Sequence, residues 1–337
     1  MQKRRWALIL LASVAFGVGH VALSLGRVWQ APVECIYFSA LDKEEKPVLG
    51  LTAADFELRV DGKPVALDGF GAGLPYTDRS VPLVAWILLD FGSTMDSSVI
   101  KKQADAAAAA FDMLHPASVM GVKLVSDRSE TMAPLAHDPA ALRNAFTQYD
   151  QRRAELNVGI RVDSVVVGEA GIARALELAL DEMDEYVVSQ PSLRDREVHR
   201  AAMIISNGNL NPGYNLKPLY AKAAREGVFL YPVFYVARSP GAPSVGPWID
   251  YYFALAQKTA GIASVLGALK PGSKINSPLL NNQWPNALAA NFIHMIRDIN
   301  GKYSFTILSP PAGRGMRLKL SCKVKGVRIR LVRTTLP

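Results

Sequence analysis

The sequence predicts an α/β fold: a doubly wound, mostly parallel sheet with helices on both faces, beside a small β module built from both ends of the chain. Three observations predict it. Between residues 80 and 302, apolar runs of strand length alternate with amphipathic stretches of helix length, the rhythm of βαβ units. Residues 33–75 and 303–335 carry short alternating strands and turn signals instead. Half of the 337 residues are hydrophobic and a fifth are charged, which excludes disorder and suits one sizeable core with a smaller one beside it.

Taken in order, Lys3, Arg4 and Arg5 precede a nearly uncharged apolar run from Trp6 to Leu25, the layout of an export signal or an N-terminal membrane anchor over residues 1–26. Ala22-Leu23-Ser24 and Ser24-Leu25-Gly26 offer small-x-small cleavage sites, yet residues 6–25 approach the length that spans a bilayer; cleavage is the favoured fate. Either way the basic side stays in the cytoplasm, so the rest of the chain is expected to be exported, periplasmic or extracellular, touching a membrane only through that segment if it is uncleaved. Glu34 before Cys35 spoils a lipoprotein-type cysteine.

Strands are predicted at Glu34–Ala40, Asp42–Lys46, Phe56–Val60 and, after an Asp61-Gly62 turn, Pro64–Leu67. Gly69–Tyr76 reads as a Gly/Pro-rich linker. The apolar run Val81–Leu89 is too continuous for a strand wet on one face, so it belongs mid-sheet. Helices follow at Ser98–Leu114, Asp138–Tyr149, Gly171–Val188, Leu216–Glu226, Tyr251–Thr259 and Asn286–Asn300. Strands follow at Val119–Val125, Ala201–Ser206 and Val228–Val236, and then at Tyr303–Ser309, Arg317–Lys323 and Val327–Val332.

The formal net charge is +8, but Lys3, Arg4, Arg5 and Arg27 all precede the first acid, Glu34, and leave +4 for the remainder. That is too mild to imply nucleic acid. Basic residues near the C-terminus, among them Arg317, Lys319, Arg328 and Arg330, nearly alternate with Leu318, Leu320, Ile329 and Leu331 and read as the wet face of strands. There are two cysteines, Cys35 and Cys322; an oxidising compartment permits a disulfide, and their segments look like partners in one sheet. Two buried thiols are the alternative.

In a doubly wound sheet, ligands sit outside the carboxyl ends of the strands where the strand order reverses. The first such loop is Leu88-Leu89-Asp90-Phe91-Gly92-Ser93-Thr94-Met95. A hydrophobic strand running into an aspartate and a cluster of hydroxyls is how oxygens are converged on a hard divalent cation.

These residues resemble the von Willebrand factor A family, whose first-strand motif is DxSxS and whose metal site gains a threonine and an aspartate from two further loops. The resemblance extends through Gly50-Leu51-Thr52-Ala53-Ala54-Asp55-Phe56, Asp61-Gly62-Lys63, Gly168 before an amphipathic helix, Ile204-Ile205-Ser206-Asn207-Gly208 and the Tyr303-led strand. It covers nearly the whole exported part and looks like the VWFA-related subgroup of secreted acidobacterial proteins. It places the motif's aspartate on Asp90 and its second serine on Thr94. The first serine falls on Gly92, the second-loop threonine on Ala170 and the third-loop aspartate on Asn207.

The resemblance therefore implies a degenerate metal site of Asp90, Ser93, Thr94 and Asn207, with Glu169 or Asp163 as compensating oxygens. No cofactor is expected; Mg2+ or Mn2+ is what the remnant would take if it took any. It also implies a non-catalytic module that binds another protein, with the loops after Asp90, Gly168 and Ser206 as the contact surface. The stretch Ser239–Trp248, with Tyr251 and Tyr252 beyond it, is an alternative surface.

Two other readings remain. A structural or self-assembling envelope component uses the same fold without a separate partner. A serine acyl-transferase or hydrolase is suggested by Ser98-Val99-Ile100-Lys101, which fits SxxK, with Ser206-Asn207 and Lys258-Thr259-Ala260-Gly261 further on. Against it, residues 258–261 look like a helix end. The five histidines are scattered singly, which signals neither a zinc cluster nor a histidine base.

Overall fold

A computed structural model describes residues 33–44, 46–75, 77–90, 97–125, 129–157, 169–194, 196–206, 217–235, 249–266, 286–308, 315–331 and 335–336. The export segment, Ser93, Thr94, Asp163, Asn207 and the stretch Ser239–Trp248 lie outside them.

The chain opens with β1 (Val33–Leu41), β2 (Phe56–Val60), β3 (Lys63–Val65) and β4 (Asp68–Gly71). The α/β part follows: β5 (Leu83–Asp90), α1 (Ser97–Ala110), β6 (Val119–Val125), β7 (Ser129–Ala136), α2 (Pro139–Thr147), α3 (Tyr149–Asn157), α4 (Glu169–Ser189), the single turn α5 (Pro191–Arg194), β8 (His199–Ser206), α6 (Lys217–Arg225), β9 (Val228–Tyr235), α7 (Ile249–Lys258), β10 (Ser264–Leu266) and α8 (Asn286–Asn300). β11 (Tyr303–Leu308), β12 (Met316–Cys322), β13 (Arg328–Leu331) and β14 (Thr335–Leu336) complete it.

The central sheet has the order β10-β9-β8-β5-β6-β7, parallel except for β7, which pairs antiparallel to β6. Counted from β5, this is the doubly wound order, with the reversal between β5 and β8. β5 sits mid-sheet, as its unbroken apolar run requires: Leu83, Ala85, Ile87 and Leu89 feed one core with α1, α2 and α8, and Val84, Trp86 and Leu88 feed the other with α4, α6 and α7. Each such large apolar side chain withdrawn from water is worth roughly 1.5–3 kcal/mol. Gly121 on β6 makes room for Trp86, whose ring lies where a Cβ would come within 2.4 Å.

The two chain ends form a sandwich of two four-stranded sheets, β13-β1-β11-β4 and β14-β12-β2-β3. Its core holds Ile36, Phe38, Phe56, Leu58, Tyr303, Phe305 and Leu318. The Tyr303 hydroxyl donates to the Val48 carbonyl at 2.8 Å and accepts from the Leu51 N–H at 3.2 Å, while Asp55 accepts from the Thr52 N–H at 2.7 Å. The 50–56 motif is thus a turn that caps the sandwich.

Several expectations are corrected. Asp42–Lys46 is a turn and not a strand, because the Asp42 carboxylate takes the N–H groups of Glu44 and Lys46. Part of the supposed Gly69–Tyr76 linker is β4, paired to β11; Gly69 and Gly71 are there because a Cβ would meet Thr306 and Ser304 at 2.4 and 2.3 Å. The expected Asp138–Tyr149 helix is α2, capped by Asp138 and ending at Thr147, while α3, which starts at Tyr149, was not foreseen. β7 was not foreseen; its Pro134 obscures the strand pattern and is tolerated at a sheet edge. Cys35 and Cys322 are not bridged. Cys35 pairs with Thr306 in one sheet and Cys322 with Phe56 in the other, so the two segments are not strand partners.

The sandwich docks against the amino end of the central sheet through buried polar groups. Lys302 is fully buried; its ammonium donates to Ser39 Oγ on β1 at 2.7 Å, to Asp298 Oδ2 on α8 at 2.5 Å and to the Ala260 carbonyl. Asp298 also accepts the Tyr231 hydroxyl at 2.7 Å. The three ammonium hydrogens thus meet acceptors from three elements. Tyr37 of β1 packs edge-on against His199 and Phe229 at the starts of β8 and β9.

Candidate functional site

Asp90 is the last residue of β5, and the register places it beside Ser206, the last residue of β8. This is the point where the strand order reverses, the place at which a doubly wound sheet generally takes its ligand. Ser206 is buried, and its hydroxyl donates to Asp90 Oδ2 at 2.5 Å. The hydroxyl of Tyr149, at the start of α3, donates to the Asp90 carbonyl at 2.8 Å. The strand end is therefore pinned on both its backbone and its carboxylate.

Tyr252 of α7 lies near the same carboxylate. It is buried, its ring tilted at 59° against Phe234 with centroids 4.8 Å apart, and its phenol is pushed well above the usual range by burial and then by the negative charge of Asp90. Both influences keep it neutral. The expectation that Tyr252 belongs to an exposed contact surface is corrected: it is buried among the apolar residues of α4, β9 and α7.

Of the residues the sequence singled out, the structure describes Asp90 and Ser206 together. Ser93, Thr94 and Asn207 fall in the loops outside the described residues, and Glu169 and Ala170 open α4. Among the described residues, no group of three or more His, Cys, Asp or Glu side chains could hold a metal ion. A magnesium-type ion asks for about six oxygens. The described residues supply one carboxylate, already engaged by a serine hydroxyl, and do not by themselves make a cation site.

The lysine of the SxxK pair is engaged elsewhere. Ser98 lies in the first turn of α1, and Lys101, three residues on, forms an ion pair with Asp150 of α3 at 2.5 Å, both half-exposed. A serine nucleophile needs a base directed at its hydroxyl, often a desolvated lysine. Lys258–Gly261 is structural: Thr259 is buried, its hydroxyl accepting from the Leu230 N–H at 3.1 Å and donating back to Leu255, and Lys258 lies over the Tyr220 ring. The described histidines are also structural or peripheral. His115 Nδ1 accepts from the Ala117 N–H, His137 bonds the Ser118 carbonyl, and His199 is held near a pKa of about 4 by burial and then by the Lys302 charge.

Sequence reasoning missed Tyr149 and the role of Tyr252. Tyr149 was placed at a helix end, and nothing in the local pattern ties it to a strand 59 residues earlier.

No protein-family model matches the chain, and no curated protein matches it. Solved structures similar to it include a von Willebrand factor type A protein from Catenulispora acidiphila, 12% identical with a TM-score of 0.41, covering 89% of this chain and 73% of that one. The conserved hypothetical protein BatB from Bacteroides thetaiotaomicron is 14% identical with a TM-score of 0.40, covering 63% of this chain and 98% of that one. Proximal thread matrix protein 1 from the mussel byssus, in a form with a zinc-occupied MIDAS motif, is 11% identical with a TM-score of 0.42, covering 68% and 49%. Likenesses at this level concern the fold and say nothing of ligand or partner. The fold rests on the chain's own strand order, which is the α/β arrangement that the von Willebrand factor A resemblance implies.

Proposed function

We propose that this chain is an exported, non-catalytic module that binds another protein through the loops at the carboxyl end of its central sheet, without depending on a divalent cation. The observation that carries the reading is the placement of Asp90 at the switch point of the sheet with its carboxylate hydrogen-bonded to Ser206. The aspartate at the switch point is kept while the oxygen set is reduced: Gly92, Ala170 and Asn207 stand where the resembling family has two hydroxyls and a carboxylate. The ion pair of Lys101 supports a non-catalytic role. Export rests on residues 1–26; among the described residues no helix is long and apolar enough to cross a membrane, and the run 6–25 lies outside them.

Calorimetric titration of Mg2+ and Mn2+ into the purified protein tests this. No saturable binding is expected in the wild type or in Asp90→Ala. Capture of a partner from envelope extract should survive EDTA and be lost in Asp90→Arg. Micromolar metal affinity abolished by Asp90→Ala overturns the metal-independent reading. A self-assembled species on sizing, with nothing captured, favours the structural alternative.

A further inference from the structure

The outward face of the β2–β12 pair gathers several cations. Along β12, Leu318 points into the sandwich core, while Arg317, Lys319 and Ser321 are exposed on the other face. On β2, Leu58 is buried and Arg59 is exposed. The register sets Lys319 directly opposite Arg59, a cross-strand like-charge pair that costs stability. Beyond the strand, Lys323 and Lys325 are exposed in the turn that leads to β13.

Among the described residues, the ion pair on this face is Arg59 with Glu57, at 2.6 Å. Arg317, Lys319, Lys323 and Lys325 take part in none; the nearby carboxylate of Asp61 accepts the Arg317 backbone N–H, and Lys323 donates to the Ala54 carbonyl. The helices of the α/β part differ. Lys101, Arg143, Arg152, Arg174 and Lys222 each meet a carboxylate within 3 Å.

The position of this face supplies the second observation. Val33, where the described chain begins, pairs with Leu308, and Arg328, reached by a short turn from Cys322, pairs with Leu41 at the other end of β1. The Cys322 end of β12 therefore lies toward the end of β1, and Arg317 lies toward the end where the chain enters the sandwich. Residues 26–32 separate β1 from the apolar run Trp6–Leu25 and, fully extended, reach at most about 25 Å. An apolar run held in a bilayer would keep the sandwich, and its cationic face, next to the headgroups.

We propose that the outer face of β2–β12 docks on anionic lipid headgroups. The proposal rests on the reading of residues 6–25 as membrane-directed, and the test separates the two. Full-length protein is floated with vesicles of phosphatidylcholine alone and of an equimolar mixture with phosphatidylglycerol, at rising salt. Binding to the neutral vesicles reports the apolar segment. The excess on the mixed vesicles reports the face, and should fall as salt screens it. The double variant Arg317→Gln/Lys319→Gln is expected to lose about 5-fold of that excess per charge removed, about 25-fold in all, with neutral binding unchanged. A control, Arg143→Gln/Arg174→Gln, removes two paired cations from helices and should leave the excess intact. An excess undiminished in the first variant, or equally diminished in the control, overturns the proposal. So does tight binding of poly-glutamate with no excess on anionic vesicles, which assigns the face to an acidic polypeptide. No neutral binding with a full excess removes the anchor reading and leaves the face standing.

Discussion

At the carboxyl end of the central sheet, β5 and β8 stop at Asp90 and Ser206, with a carboxylate, a hydroxyl and two tyrosines gathered at the strand ends. At the amino end, β8 and β9 start against the sandwich, where His199, Tyr37, Phe229 and Lys302 are packed together. Both ends are polar, but they differ in what surrounds the charge. Asp90 is only partly buried, at the end of a strand; the Lys302 side chain has no exposure and its three donors are all used. A charge at an open strand end can meet a partner. A charge sealed in a seam can only hold two layers together.

The largest expected effect breaks the seam. Lys302→Met strands the Asp298 carboxylate, whose second oxygen already lacks a partner among the described residues, and should cost about 3–5 kcal/mol in urea unfolding. Replacing both Lys302 and Asp298 by apolar residues should recover most of that loss, since the penalty is an uncompensated buried charge. A single variant as stable as the wild type would show that the seam does not depend on this pair.

The next effect is a pH dependence confined to the same end. Burial and the neighbouring Lys302 cation hold His199 near a pKa of about 4, below its unfolded value of 6.5. The folded state therefore favours the neutral imidazole. Its contribution is fully present above pH 6.5 and is lost as the pH falls toward 4, because the unfolded chain takes up the proton first. The span corresponds to about 3 kcal/mol. Melting temperatures recorded across that window should fall on acidification, and His199→Phe should flatten the slope; an equal slope in the variant assigns the effect to other groups.

The smallest effect belongs to the crevice. Ser206→Ala removes one charge-assisted hydrogen bond to a carboxylate that water also reaches, and should cost about 1 kcal/mol by urea unfolding. A cost as large as that of Lys302→Met would mean that Asp90 serves the core, and the contrast between the two ends would fail.

How legible the molecule is from its sequence depends on the distance over which each feature is decided. Phe56–Val60, Val119–Val125 and Asn286–Asn300 were placed with the bounds the structure gives, because an apolar period is a local property. Asp61-Gly62 also read correctly, as a tight turn whose two residues take positive φ, 49° and 81°. The glycines of 69–71 misled for the opposite reason. They mark close approach to Thr306 and Ser304, residues that a local reading cannot see. Asp90 was found by its motif, whereas Tyr149, which pins the same strand end, carries no motif.

The sequence by itself determined the order of elements, the central place of β5 and the carboxylate at its end, since each follows from side-chain pattern along one stretch of chain. Only the tertiary structure decided that the cysteines lie in separate sheets and that Ser206 occupies the Asp90 carboxylate. It also decided that Asp298 and Lys302, four apart in the chain, form a buried ion pair. Those outcomes depend on which layers come together, and the free energy of a charge is set by its surroundings more than by its neighbours in the chain.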